Sequence, residues 1–341
     1  MKIIEVGSES VHFVKYCKAL DERLLDYEII AENNIKGLNY KNHYIFNFRG
    51  LNLISFLKSF IKLKREIKSL NADIIHIHQI NRLAFFVCVA ARQLGIPIIS
   101  TAWGSDVLTI PKKNIFFKFI TTYVLKKSKY VTADSKEMIE AMQGMHKNNN
   151  KYQWIQYGID STDALKKENY VFSNRIHRRL YRIDMIIEEF KSFVESHPDW
   201  KLVIAAEGEE TESLKKLAEK LLKPENYEFI GWLDPTRNAE WYGKSKIYIS
   251  IPISDGTSVS LLEAMLAGCI PIVSDINVSY EWIKDNENGI IFKPNQNILE
   301  EALKINYEHC ANYNKNLIKK MALRKNTMTQ FINLYSKSLL K

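Results

Sequence analysis

The sequence predicts an α/β protein built from two Rossmann-like domains, each with a parallel sheet. Three observations carry that reading. Short apolar runs alternate with helical patterns along the chain; the alternation stops at a polar stretch, Ser161 to Asn169, and then restarts; and 341 residues exceed what one hydrophobic core usually serves. The pattern implies two domains facing a central cleft, residues 1–160 and 161–312, followed by a helical segment over 313–341.

In the first half, Ile3–Val6, Asp73–His78, Ile96–Ser100, Tyr130–Ala133 and Tyr152–Gln156 read as strands. Helices are expected over Ser10–Leu20 and Leu83–Leu94, the latter closed by Gly95. After the linker, strands are expected at Val171-Phe172, Lys201–Ala206 and Tyr227–Gly231, with helices over Asp184–Ser196 and Thr211–Leu222. Leu317, Met321, Met328, Phe331, Tyr335 and Leu339 recur at helical spacing, predicting one long terminal helix over 314–339.

The most informative segment is Ser254 to Asp275. An apolar strand, Ile247–Ile251, leads into a polar Gly-containing loop, then a helix over about Ser260–Ala267 ended by Gly268, then a second strand, Ile270–Val273. In a βαβ unit the loop after the first strand lies at the carboxyl edge of the sheet, where open α/β folds bind ligands. The N–H groups of Thr257, Ser258 and Val259 open the helix and suit an anion such as a diphosphate. Asp255 and Glu263 flank them. The competing reading is an exposed turn with Ser258 or Ser260 as the N-cap.

Composition narrows the class. At 46% hydrophobic and 26% charged the chain is globular, and no stretch reaches the length of a membrane span. The N-terminus enters a strand at once and lacks the build of a signal peptide. Cys17, Cys88, Cys269 and Cys310 show neither disulfide nor zinc spacing, which fits a reducing cytoplasm. The net charge of +9 is lopsided: residues 1–160 hold 23 Lys+Arg against 14 Asp+Glu, while residues 161–341 hold 25 of each. Such a field attracts nucleic acid, anionic lipid or an acidic substrate without choosing among them. Two basic stretches lie in that half. Leu53–Leu70 places Leu53, Leu57, Phe60, Ile61, Ile67 and Leu70 on one face; Lys112–Lys129 interleaves Phe116, Phe117, Phe119, Ile120 and Tyr123 with six lysines. Each fits a helix docked on its sheet; together they fit a domain resting on an anionic membrane.

His76 and His78 alternate with Ile75 and Ile77 and so share a sheet face, but spacing supplies no third metal ligand. His76 reads as a packed residue and His78 as a candidate for the cleft. No Asp-x-Asp follows a strand; Asp285-Asn-Glu287 comes closest and reads as a turn, so no metal or other cofactor is expected. Arg175, in a cluster reaching Arg182, is the best candidate to neutralise a diphosphate through its planar guanidinium.

These residues resemble the retaining glycosyltransferases of family 4 (group 1), which have the GT-B fold. The family's acidic-x7-acidic signature matches Asp255 through Glu263, and its tail matches Glu263-Ala-Met and Gly268–Val273. Phe172–Ile176, Tyr227–Trp232 and Asp285–Phe292 have counterparts, as do Asp73–His78, Thr101–Asp106, Thr132–Ser135 and Tyr157–Asp160, so that the likeness spans roughly residues 1–295. It implies a nucleotide-sugar donor, UDP-linked by family weight, with Glu263 on the ribose, Asp255 on the sugar and the backbone of Gly256–Val259 around the phosphates. Arg175 would stabilise the leaving group, with retention and without an obligatory enzyme nucleophile. It further implies that the last helix crosses back to the first domain.

On the acceptor side stand Gly7, Ser8 and His12, where a simple tight turn is equally open, together with His78 and Asp106. Asp106 either orients the acceptor or caps the next segment. Three departures stand out. Trp103 occupies a position commonly His, which contacts the donor sugar; Leu180 occupies one commonly Lys, for which Arg178, Arg179 or Arg182 would substitute; and Tyr157 replaces a common Asn.

The expectation is a cytoplasmic enzyme, peripheral at the inner face of the membrane, that glycosylates a glycan or lipid-linked glycan in surface polysaccharide synthesis. A GT-B epimerase, which needs no acceptor hydroxyl, and an inverting transferase are the enzyme rivals. A non-catalytic basic protein binding nucleic acid or membrane is the rival of another class. Aromatics at helical core spacing, not on an exposed basic surface, argue against nucleic acid.

Overall fold

A computed structural model describes residues 1–161, 165–294 and 296–340. The chain forms two compact units, Met1–Gly158 with Arg324–Lys341, and Ile159–Leu323. Residues 162–164 of the expected linker, and Lys341, lie outside the described residues.

The first unit carries seven strands: β1 (Lys2–Gly7), β2 (Asp26–Ala31), β3 (His43–Ile45), β4 (Ile74–His78), β5 (Ile98–Thr101), β6 (Tyr130–Ala133) and β7 (Tyr152–Trp154). All pair in parallel, in the order β3-β2-β1-β4-β5-β6-β7. Every residue of β4 and β5 is buried, as helices on both faces require. Helices Leu53–Leu70, Arg82–Ala90, Ile115–Lys127 and Lys136–Met145 cover one face; Val11–Asp21 and Arg324–Leu339 cover the other. Strands β2 and β3 escape the sequence pattern because one mixes charged with apolar residues and the other is a three-residue edge.

The second unit carries β8 (Glu168–Ser173), β9 (Lys201–Ala205), β10 (Tyr227–Gly231), β11 (Ser245–Ser250), β12 (Ile270–Ser274) and β13 (Ile290–Phe292). They form a parallel sheet in the order β10-β9-β8-β11-β12-β13. In both sheets the order reverses beside the first strand, between β1 and β4 and between β8 and β11. That reversal opens a crevice at the carboxyl ends of the strands.

Two expectations change. The single terminal helix is two, Tyr307–Met321 and Arg324–Leu339. The first packs on helix Val259–Leu266 within the second unit, and the second belongs to the first unit. Between them Ala322 accepts from the Ile159 N–H at 2.8 Å, so the boundaries fall at 158/159 and 323/324, not at 160 and 313. Gly158 is required there: its φ is +87°, and a Cβ would lie 2.6 Å from Arg324 Cα.

The second change concerns the basic helices. Leu63, Ile67 and Leu70 are buried, yet Leu53, Leu57 and Ile61 are 73%, 49% and 58% exposed, so the expected apolar face docks only in its C-terminal half. Ile115, Phe116 and Phe119 are likewise exposed on their helix, which buries Ile120 and Val124 instead.

Candidate active site

The crevice between β8 and β11 gathers three of the expected residues. Arg175 lies two residues past β8. Asp255 lies in the loop after β11, and Ser258 caps helix Val259–Leu266, its hydroxyl accepting from Leu261 N–H at 3.4 Å. The Arg175 guanidinium reaches both: one nitrogen lies 2.8 Å from an Asp255 oxygen and the other donates to Ser258 Oγ at 2.6 Å. Its central carbon lies over the Tyr181 ring, 4.4 Å from the centroid. The second Asp255 oxygen accepts from Gly256 N–H at 3.0 Å, fixing the loop. Burial raises the Asp255 pKa above the ordinary carboxylate range, with Arg175 and the Gly256 N–H pulling against it. Thr257, Ser258 and Gly256 line a small pocket that Ser274, Ser279 and Trp282 close on its other side. Val259 opens the helix, and Glu263 sits half-buried in its second turn.

Arg182 is placed differently from the expectation. Its Nε donates to the Ile251 carbonyl at 2.6 Å and one terminal nitrogen to that of Pro252 at 3.3 Å, while Ile253 N–H donates to Leu180 O at 2.8 Å. These bonds stitch segment 180–182 to the start of the β11 loop. Arg182 therefore braces the loop with the groups that were expected to meet a phosphate; Arg178 and Arg179 are exposed.

In the first unit, the crevice between β1 and β4 is flanked by Ser8 and Gln79, whose side chains meet at 3.4 Å. Gly7 serves packing, because a Cβ there would run into the Phe13 ring. His12 lies 6.0 Å from the Tyr157 ring; desolvation, with Arg324 and Lys15, pushes its pKa below the ordinary value. Two expectations are corrected. Asp106 spends its oxygens on the backbone: it is 1% exposed and accepts from Ile80 N–H at 2.8 Å and Trp103 N–H at 3.0 Å, tying the segment after β5 to the loop after β4. Burial pushes its pKa up to about 6. His78 lines no open surface either, since it is 1% exposed and both ring nitrogens are engaged.

Those bonds belong to a buried network missing from the sequence reading. His78 meets Glu5 at 2.7 Å and the Tyr157 hydroxyl at 2.7 Å. His76 meets the Tyr335 hydroxyl at 2.6 Å and Thr101 Oγ1 at 2.8 Å. Tyr335 reaches Glu5 at 3.3 Å and also bonds Tyr16. Burial drives His76 well below its ordinary pKa and His78 down to about 3, and raises Glu5 to about 7. Both imidazoles are therefore neutral at pH 7, and these contacts are hydrogen bonds, not ion pairs. Glu5, His76 and His78 do offer three donor atoms within 4.8 Å, the third being the one spacing did not reveal. Each ring nitrogen is already bonded to another side chain. The indole N–H of Trp103 also points to Tyr157, donating to its hydroxyl.

Comparison with known proteins identifies the family and the fold. The model for "Glycosyl transferases group 1" matches residues 159–321, and that for "Glycosyl transferase 4-like" matches residues 2–135. The chain is a group 1 glycosyltransferase with the GT-B fold. An uncharacterized glycosyltransferase of Methanocaldococcus jannaschii is 29% identical to this glycosyltransferase over 292 residues, 78% of this chain and 73% of its own. The Escherichia coli UDP-Gal:alpha-D-GlcNAc-diphosphoundecaprenol alpha-1,3-galactosyltransferase is 22% identical over 72% of this chain and 69% of its own. Anabaena HepE, solved with UDP, superposes with a TM-score of 0.81 at 12% identity, over 99% of this chain and 100% of its own.

Sequence reasoning about this glycosyltransferase missed Tyr181 beneath Arg175 and Glu5 beside the histidines. A carboxylate inside Ile3-Ile-Glu-Val6, a run expected to be buried on both faces, was the available signal for Glu5. Tyr181 carried none, because its placement depends on the turn after β8.

Proposed function

We propose that this glycosyltransferase moves a sugar from a UDP-sugar to a hydroxyl of a lipid-linked glycan, with retention, in surface polysaccharide assembly at the cytoplasmic face of an anionic membrane. The observation that carries the donor half is Arg175, fixed between Asp255 and Ser258 at the sheet crevice. A donor entering there puts its diphosphate against a guanidinium and the N-terminus of a helix. Glu263 takes the ribose hydroxyls and Asp255 those of the sugar. As the bond from the anomeric carbon to the diphosphate oxygen breaks, the electron pair stays on the phosphate. The acceptor oxygen bonds the same face of the carbon, and its proton passes to the departing phosphate. Fixed charge aimed at the leaving group is worth about 3–4 kcal/mol of barrier, and it makes a divalent cation dispensable.

UDP is supported by HepE, solved with UDP and with UDP-glucose, and the lipid-linked acceptor by the diphosphoundecaprenol in the name of the E. coli relative. The membrane surface is supported by the exposed Leu53, Leu57, Ile61, Phe116 and Phe119 in the basic half of the chain. No described helix is long and apolar enough to cross a membrane. The test is a hydrolysis and transfer screen across UDP-, GDP- and ADP-sugars with EDTA present, followed by NMR of the product anomer. UDP release with a retained anomer is expected. Turnover restricted to another nucleotide, an inverted product, or loss of rate in EDTA each overturns its part of the proposal.

A further inference from the structure

A cavity of about 580 Å³ opens in the first unit between the loop after β4 and residues 106–121. That is within the usual range of small-molecule sites, roughly 300–1,000 Å³. Three cations line it, Arg49, Arg82 and Lys113, against an apolar wall of Ile80, Phe117 and Ile120. Arg49 is matched by Glu32 at 2.9 Å. Asp106 also borders the cavity, but its oxygens are taken by backbone N–H groups. Arg82 and Lys113 make no hydrogen bond or ion pair among the described residues. The cavity thus holds three cations against the two carboxylates Glu32 and Asp106, and the side chains of Arg82 and Lys113 are left without an ion-pair partner among the described residues beside a greasy surface. Ile110, at its edge, and Phe116 and Phe119 on the adjoining helix are exposed and extend that surface outward.

A purely apolar occupant would leave the two cations facing it without a counter-charge, and a free anion would leave the apolar wall wet. We infer that this cavity binds the phosphate or diphosphate of the acceptor's lipid carrier, with Arg82 and Lys113 on the phosphate oxygens and the first part of the aliphatic chain on Ile80, Phe117 and Ile120. The inference rests on the lipid-linked acceptor proposed above and specifies what anchors it. Arg82 supplies the fork that grips two phosphate oxygens, and Lys113 a point charge.

The test is calorimetric binding to the full chain of farnesyl diphosphate, farnesol, inorganic pyrophosphate and phosphatidylglycerol vesicles. Farnesyl diphosphate should bind and lose about ten-fold or more in the R82A/K113A pair. Farnesol should not bind, and pyrophosphate should bind more weakly than the prenyl diphosphate. A charge-keeping pair, R82K/K113R, should retain binding to within about three-fold, and Lys147→Ala, elsewhere in the unit, to within about two-fold. Equal affinity in the parent and the alanine pair overturns the inference, as does farnesol binding as tightly as its diphosphate. Pyrophosphate matching the prenyl ligand points to a free-phosphate site, and a loss confined to vesicles points to bulk phospholipid; either replaces the inference. UDP-sugar hydrolysis by the unaltered protein is measured separately: its absence fails the donor reading alone, and absent prenyl diphosphate binding fails this one alone.

Discussion

Trp103 donates its indole N–H to the Tyr157 hydroxyl, and the two rings meet edge to face, 6.0 Å apart at 82°. These are two of the three positions at which the chain departs from the family's usual residues, and they accommodate each other. Trp103→His alone strips Tyr157 of a donor, and Tyr157→Asn alone strips the indole of its acceptor. The double variant should lose less than the sum of the two, with a coupling of about 1 kcal/mol in urea unfolding. Strict additivity would show that the contact carries no energy of its own.

Arg175→Ala should lower kcat by about 10²–10³, because the fixed charge beside the leaving group is gone. Arg175→Lys should recover only part of it, since a point-charge ammonium lacks the planar fork whose separate nitrogens meet Asp255 and Ser258. Glu263→Ala should abolish turnover. Unchanged steady-state rates in these variants would remove the site from the second unit.

The acid limb of the pH profile should reflect Asp255. Burial raises its pKa despite Arg175, so on acidification it takes up a proton earlier than an ordinary carboxylate, and the contact with Arg175 weakens at that higher pH. In the Asp255→Asn variant that limb should vanish from kcat/KM along with most of the rate. A limb surviving in the variant assigns it to another group.

Membrane attachment should depend on the exposed apolar residues. Replacing Leu53, Leu57, Phe116 and Phe119 with Ser one at a time should each cost about 1–2 kcal/mol of affinity for anionic vesicles, roughly 5–30-fold. Raising salt should weaken binding further in the parent. Sedimentation with vesicles measures both; binding indifferent to these changes discards the surface.

Glu5→Gln should change how stability depends on pH. Between about 4.5 and about 7 the folded chain keeps on Glu5 a proton that the unfolded chain has released, so that group makes stability fall as pH rises. The two buried histidines act in the opposite sense below 6.5, but they are common to parent and variant and cancel in the difference. The variant should therefore gain on the parent from pH 5 to pH 8 by up to about 3 kcal/mol. Urea midpoints at the two pH values measure it, and an unchanged difference would mean that Glu5 is ionised in the fold.

The second unit was legible in the sequence almost strand by strand, because each strand carries an apolar stretch, such as Val171-Phe172, Leu202–Ala205 or Ile247–Ile249, between turns that carry Gly, Asp and Ser. The layout of the loop after β11 could be read the same way, since Gly256 and the Ser258 cap mark where strand gives way to helix. What spacing could not supply was direction. Arg182 sits in the expected cluster, yet its φ of +50° belongs to a turn that aims the side chain at the loop backbone. His78 at a strand end and Asp106 in the segment after β5 had the right residue types, and burial consumed them. The terminal helix was misjudged because the apolar period runs through Ala322 and Leu323, where only the meeting with Ile159 interrupts it.

That interruption also sets an order of manufacture. Residues 159–323 are one continuous stretch, whereas the first unit needs residues from both ends of the chain. As the chain leaves the ribosome, Glu5 and His76 emerge near the start, but the Tyr335 hydroxyl that bonds both comes more than 250 residues later. The second unit can close while the first still waits for its last helix. A premature stop before residue 324 would release a chain able to complete one half and never the other.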